Sequence, residues 1–250
     1  MIKTITSLTN PAIKKVVTLH TAKGRAQHQE FIVEGLRSLD AFASAGWLPV
    51  ELYCLENMTG EAQKIFKKTI VTVVPPHVLE KLSASSSPAG LLAVFSIPQS
   101  PKPEKLTSGL VLANLQDPGN VGTLIRSAVA FGYKSVVIIG GCDPYSPKVV
   151  QATAGTLAHI HLFQWTWQQV VQHKKHLTLC ALVVDSAQVA QKTPATSTLF
   201  VVGNEAHGLP KDVVADCDTA LTIPLSPHAE SLNAAVAGSI ALYRGIIDNV

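Results

Sequence analysis

Three short segments gather polar residues behind apolar runs, and their residue types could hold a ligand and act on it. The first is Asn114-Leu-Gln-Asp-Pro-Gly-Asn-Val-Gly122, which runs into Thr123-Leu-Ile-Arg126. The second is Leu199-Phe-Val-Val-Gly-Asn-Glu-Ala-His-Gly208, and the third is Ile223-Pro-Leu-Ser-Pro-His-Ala-Glu-Ser-Leu-Asn233. Open parallel sheets bind ligands beyond the carboxyl ends of their strands, which is where loops of this kind fall. Asp117-Pro118-Gly119 is a turn by composition, and Asn120 is expected to cap the helix that follows, whose free N–H groups favour an anion. Gly203 lets a backbone come close to a ligand. Glu205 fits a ligand contact, a helix-start residue or a structural hydrogen-bonder. Ser231 and Asn233 stand at a helix start, where such side chains often serve only as caps.

Other reactive types carry less. On a helical projection Val121, Leu124, Ala128 and Phe131 share one face, and Arg126 lies nearly opposite, so by pattern alone it is a surface arginine. His207 sits in a polar, glycine-flanked loop and reads as solvent-facing. Trp165 and Trp167 could stack on a base, but packing is the plainer role. Cys54, Cys142, Cys180 and Cys217 form no CxxC pair and read as buried, reduced thiols. The nine histidines lack HxxxH or HExxH spacing. His159 and His161 would share a strand face, with no third ligand nearby, so no metal site is expected.

These loops need strands and helices to position them. Strands are expected at Leu110–Leu115, Ser135–Ile139, Leu177–Val184, Leu199–Val202 and Ala220–Ile223. Helices are expected over about 119–131, 146–154, 165–175 and 230–247. Runs such as Val136-Val-Ile-Ile139 indicate strands buried on both faces, hence a parallel sheet covered by helices. Ahead of them, Asn10-Pro11 opens a helix, strands fall at 31–34, 51–55, 70–74 and 91–95, and helices at 36–45 and near 61–68. Between the two series, Ile97-Pro-Gln-Ser-Pro-Lys-Pro-Glu-Lys-Leu-Thr-Ser108 has prolines at 98, 101 and 103 that favour an extended connection. The expected organisation is a small α/β domain over 1–97, a linker over 98–108 and a parallel-sheet domain over 109–250. The Ala- and Gly-rich helix after Asn233 suits close approach of another backbone, in a tightly packed element or a dimer interface.

The chain has 250 residues and is 47% hydrophobic and 15% charged, against about 25% charged in an average soluble protein, which argues against disorder. No apolar run reaches the roughly 18 residues of a membrane span. The N-terminus has no signal-peptide h-region, so a cytoplasmic protein is expected. The first 37 residues carry six basic and two acidic side chains. That excess fits a phosphate backbone or an ordinary solvated face, and it makes Lys14, Lys15, Lys23, Arg25 and Arg37 the candidate phosphate contacts.

Taken together and in this order, the three segments resemble the three motifs of the SpoU/TrmH class of RNA 2′-O-ribose methyltransferases, in the SPOUT superfamily. The matching residues are Asn114, Asp117-Pro118, Asn120, Gly122, Arg126 and Phe131-Gly132, then Gly203, Glu205 and Gly208, then Ile223-Pro224-Leu225 and Ser231-Leu232-Asn233. Thr9-Asn10-Pro11, Phe31-Ile-Val-Glu-Gly35 and Ser87-Pro88-Ala-Gly90 resemble that family's L30e-like substrate-binding domain. The resemblance implies a deep trefoil knot, a rare exception to unknotted topology. It implies S-adenosylmethionine held around Gly203, Ile223, Leu225 and Leu232, and a catalytic set of Arg126, Asn120, Glu205, Ser231 and Asn233. It also implies a homodimer through the C-terminal domain, with the active site near the subunit boundary and no metal. Structured RNA is the implied substrate, rRNA of the large subunit before tRNA. One departure is Gln151, where many relatives carry arginine, which puts a phosphate contact there in doubt.

Two alternatives stand beside this. A catalytically silent RNA-binding ribosome-assembly factor would share the fold, but the intact polar set argues against it. A nicotinamide-dependent oxidoreductase would need GxGxxG after its first strand, and that fingerprint is missing.

Overall fold

The computed structural model describes residues 2–184 and 197–247. In chain order the elements are β1 (Ile2–Thr4), α1 (Pro11–Thr18), α2 (Ala22–His28), β2 (Glu30–Glu34), α3 (Leu36–Ser44), β3 (Glu51–Cys54), α4 (Thr59–Ile65), β4 (Val71–Val73), α5 (Pro76–Leu82) and β5 (Leu91–Ser96). There follow β6 (Gly109–Ala113), α6 (Pro118–Ala130), β7 (Ser135–Ile139), α7 (Pro147–Ala152), β8 (His161–Gln164), α8 (Trp167–His173) and β9 (Thr178–Leu182). The last are β10 (Thr198–Val202), α9 (Lys211–Ala215), β11 (Thr219–Leu221) and α10 (Ala234–Ile247). Contacts divide the chain into two units, residues 1–99 with 143–158 and residues 100–142 with 159–250.

The first unit is built on a five-stranded mixed sheet in the order β1-β4-β3-β5-β2. Alternation along its strands sends successive side chains to opposite faces. Ile32, Tyr53, Leu92 and Val94 meet Ile13 and Val16 of α1 and Val78, Leu79 and Leu82 of α5 in one core layer. Phe31 and Phe95 belong to the other layer, an aromatic cluster with Phe42, Trp47 and Tyr145 at centroid separations of 4.9–6.1 Å. Asn10 opens α1 as its composition predicts, accepting from the Ala12 N–H at 2.9 Å ahead of Pro11.

The second unit is a six-stranded sheet, all pairs parallel, in the order β11-β9-β10-β6-β7-β8. Val111, Val137, Leu179, Leu199 and Val201 fill one face with Phe163, Trp165 and Trp167. The opposite face of β10 meets α10 at close range. A Cβ on Gly238 would stand 2.4 Å from Leu124 Cδ2 and 3.2 Å from Val202 Cγ2, and one on Gly245 would stand 2.5 Å from the Tyr133 hydroxyl. The small residues of α10 are therefore used within the chain, to seat that helix on α6 and β10. No helix among the described residues is long and apolar enough to cross a membrane.

The structure corrects several sequence expectations. Residues 143–158, expected in the parallel-sheet domain, belong to the first unit, where Tyr145 stacks on Phe31 at 5.0 Å and a Cβ on Gly155 would touch Ala41 at 2.8 Å. The proline-rich connection is not extended throughout, because Pro103–Lys105 form a 3-10 turn that presents Leu106 to the second core. Asp117, not Asn120, caps α6: its side chain accepts from the Asn120 N–H at 2.7 Å, and Pro118 takes the first helical position. Of the cysteines only Cys54 and Cys180 are buried, and Cys142 and Cys217 are half-buried. Burial pushes the Cys180 thiol up to about 12, so it is held protonated. The segments β1, α2, α5, β8 and α9 were not anticipated; each is short, and three to seven residues give periodicity little to register.

Two expected RNA contacts are used inside the first unit. Arg25 is 4% exposed, its guanidinium bonded to Asp143 at 2.6 and 2.8 Å and to the Leu19 carbonyl at 2.8 Å. Lys15 is held between Glu30 at 2.7 Å and Glu51 at 2.9 Å. The buried Arg25 guanidinium is out of reach of a phosphate, and two carboxylates offset the charge of Lys15. Lys14, Lys23 and Arg37 are exposed. Arg25 thus fastens residue 143 to the first unit, and removing it takes away three charge-assisted hydrogen bonds. Arg25→Ala is expected to lower the unfolding free energy by about 2 kcal/mol in a urea titration. An unchanged midpoint would contradict that role.

Candidate functional site

In the second unit the chain order reverses beside β6: β7 and β8 lie on one side of it, and β10 and β9 on the other. Such a switch point opens a crevice beyond the strand ends. The carboxyl ends of β9, β10 and β11 there border a cleft of about 580 Å3. Gly203, Ile223, Leu225 and Leu232 all line it, as do Glu205, Ser231 and Asn233. So do Leu182, at the end of β9, and Val183 and Val184 just after it, which sequence reading missed, because an apolar strand end carries no mark distinguishing it from core.

Across this crevice the three polar segments are tied by amide–carboxylate contacts. Glu205, beyond β10, accepts from the backbone N–H groups of Gln116 and Asp117, beyond β6, at 3.1 Å each. The Asn120 amide also donates to Glu205 at 3.1 Å. The Asn120 carbonyl oxygen in turn accepts from Asn233 Nδ2 at 2.9 Å. Asn233 then uses its own Oδ1 to cap α10, accepting from Ala235 N at 2.9 Å and Val236 N at 3.3 Å. One continuous chain, Glu205–Asn120–Asn233, therefore joins the first, second and third segments. Asn120 is 8% exposed and pays for burial with both ends of its amide in use.

Neighbouring residues hold the loop itself. Asn204 donates to the Asn114 carbonyl at 2.9 Å and accepts from the N–H groups of Ala206 and His207. Gly203 has a further reason besides the one its sequence position suggested. A Cβ there would lie 2.4 Å from the Gly208 carbonyl carbon and 2.6 Å from Leu209 N, so the glycine is needed for the loop to close on itself through the Asn204–Gly208 bridge. The backbone it admits is its own.

Arg126 stands apart. It is exposed on α6, does not line the cleft, and forms no ion pair among the described residues. It lies six residues beyond Asn120, about 9 Å along the helix axis. His207 lines the cleft and is exposed, and Trp165 and Trp167 pack in the core beneath the sheet, with Trp167 donating to Asp216 at 2.8 Å. Among the described residues no cluster of three His, Cys, Asp or Glu side chains could hold a metal ion.

Burial alone would raise the Glu205 carboxyl, but donors from Asn120, its own backbone, Gln116 and Asp117 outweigh that and hold it below its ordinary 4.5. A carboxylate whose folded value is depressed gives stabilisation that is complete above the ordinary value and disappears as pH falls through the lowered one. The thermal midpoint of the wild type should therefore exceed that of Glu205→Gln by a constant margin near neutrality, a margin that shrinks as pH falls below the ordinary 4.5. A margin independent of pH would mean that the charge on Glu205 does not hold the loops.

Comparison with known proteins identifies the family. The SpoU rRNA methylase family profile matches residues 108–243, and the profile of the MRM3-like substrate binding domain matches residues 10–93. An uncharacterised tRNA/rRNA methyltransferase of Synechocystis is 32% identical, over 97% of this chain and 93% of the relative. A 23S rRNA (guanosine(2553)-2′-O)-methyltransferase of Bacillus subtilis is 26% identical, over 97% of this chain and 98% of the relative. The crystal structure of an AdoMet-bound rRNA methyltransferase from Sinorhizobium meliloti superposes with a TM-score of 0.86 at 25% identity, covering 98% of this chain and 97% of the other. The chain therefore belongs to the SpoU rRNA methylase family of S-adenosylmethionine-dependent RNA 2′-O-ribose methyltransferases.

Proposed function

We propose that the chain methylates a ribose 2′-hydroxyl in large-subunit rRNA, and that the Glu205–Asn120–Asn233 chain beside the 580 Å3 cleft is the observation that carries this reading. The cleft fits S-adenosylmethionine in kind. Its walls include Leu182, Val202, Leu221 and Ile223 for an apolar ring face, and its irregular loops leave backbone donors and acceptors outside the strand ladders for a purine edge. Glu205 adds a carboxylate on the same wall, which favours a cationic sulfonium. When bound, that group supplies a methyl already activated for attack by an oxygen nucleophile.

The protein's own work is then positioning and proton management. Glu205 and Asn120 fix the loop after β6, and Ser231 and Asn233 orient the ribose. Arg126 is not a base, since a guanidinium stays protonated. It holds an RNA phosphate and stabilises the developing alkoxide, and the phosphate or a water accepts the proton. Its exposed position outside the cleft supports a site completed by a second copy of the chain, in a homodimer formed through the C-terminal unit. Exposed Val236, Tyr243 and Ile247 on α10 are consistent with such a surface. Lys14, Lys23 and Arg37 serve as phosphate contacts on the first unit. The chain is threaded as a trefoil knot around the cleft, and it acts in the cytoplasm, where ribosomes are assembled.

The 23S target has a relative's precedent in the Bacillus subtilis enzyme. Mapping 2′-O-methyl marks in total RNA with and without the gene should reveal one site lost from 23S rRNA. In a labelled-methyl assay on that RNA, Arg126→Lys should lose about two orders of magnitude in kcat while S-adenosylmethionine affinity is unchanged, because an ammonium cannot reproduce a planar fork. Unaltered marks, or near-normal turnover by Arg126→Lys, would overturn the target and the role respectively. Light scattering of the same preparation should give twice the mass of one chain.

A further inference from the structure

The first unit has a cleft of its own, about 100 Å3, lined by Glu34 at the end of β2, Ser38 on α3, Ser85 and Ser87, and Gln151 on α7. Its floor and walls are apolar, with Ile32, Pro147 and Val150. Glu34 is held in place by the loop beside it. Its Oε1 accepts from Ala89 N at 3.0 Å, and the single Ser83 hydroxyl is shared between Oε1 at 2.8 Å and Oε2 at 2.7 Å. These few donors fix the carboxyl group and leave it acceptor capacity to spare.

Anion-binding groups adjoin the cleft. Helix α3 is nine residues long and starts from Gly35, which gives no side-chain cap to its first N–H groups. Uncapped N–H groups at a helix start favour a phosphate. Arg37, next to the lining residue Ser38, and Lys148, next to the lining residue Pro147, are both exposed. A small pocket with apolar walls and one fixed acceptor pair, near the uncapped start of α3 and with exposed cations one residue from two of its lining positions, matches the parts of a single nucleotide. A flat ring fills the pocket, and sugar and phosphate stay outside.

We propose that this cleft is a specificity subsite for one unpaired nucleotide of the RNA substrate, with the base edge donating to Glu34 and the phosphate at the start of α3 beside Arg37. Guanine fits best, because its ring N–H and exocyclic amino group offer two adjacent donors to one carboxylate. This rests on the reading of the chain as an RNA methyltransferase and adds to it the means by which the first unit selects its RNA.

Gln151→Trp tests it, because Gln151 is exposed on its helix and a larger side chain there fills the cleft while leaving the Glu34 latch alone. With a transcript spanning the methylated nucleotide, the variant should raise KM for RNA about tenfold with kcat and S-adenosylmethionine affinity within about twofold, at unchanged melting temperature. Replacing the recognised guanosine by inosine, which lacks the exocyclic amino group, should raise KM for the wild type by a similar factor and not further for Gln151→Trp. An unchanged KM, or an inosine effect equal in both proteins at every unpaired guanosine, would overturn the subsite. Gel-shift affinities of the same RNAs read the subsite without methyl transfer, so an inactive wild type would count against the proposed function and leave this comparison decisive.

Discussion

The functional architecture of the second unit depends on one carboxylate placed where three loops meet. Glu205 takes N–H groups from Gln116, Asp117 and Asn120, and Asn120 passes the connection to Asn233. Loops at separate strand ends have no ladder to hold them in register, and each would otherwise lose its backbone bonding to water. Charge-assisted hydrogen bonds are roughly twice as strong as neutral ones, so a single ionised group can order several loops at once. The lowered pKa of Glu205 is the electrostatic signature of that arrangement.

Sheet topology makes the meeting possible. Because β10 lies between β6 and β9, the loop after β10 reaches the loop after β6 on one side and the β9 end on the other. Close backbone packing then shapes the pocket. Gly203 lets the loop fold onto Gly208 and Leu209, and the glycines of α10 bring that helix, and Asn233 at its start, down onto α6 and β10. Any side chain at those glycines would move an end of the polar chain.

Much of this was legible in the sequence because periodicity and composition report on burial. The uninterrupted run at Val136–Ile139 announced a two-sided strand, and Asn10-Pro11 announced a helix start. The resemblance brought together Gly203, Ile223, Leu225 and Leu232, which line one cleft. What escaped was set by partners distant in sequence. Arg25 carries nothing locally that shows its guanidinium committed to Asp143, 118 residues on. Residues 143–158 have the pattern of any crossover helix, and only the aromatic contact of Tyr145 with Phe31 assigns them to the first unit. At the start of α6, two side chains could serve as cap, and Pro118 decided for Asp117, which freed the Asn120 amide for Glu205 and Asn233.

A tie between loops differs from a set of independent contacts in being cooperative, and a double-mutant cycle reads that difference directly. S-adenosylmethionine affinity and kcat should be measured for Asn120→Ala, Glu205→Ala and the two combined. If the three segments are fixed by one connected chain, either substitution alone releases it, and the double variant should be no worse than the poorer single variant within about twofold. Losses that multiply, each substitution acting as though the other were absent, would contradict the account.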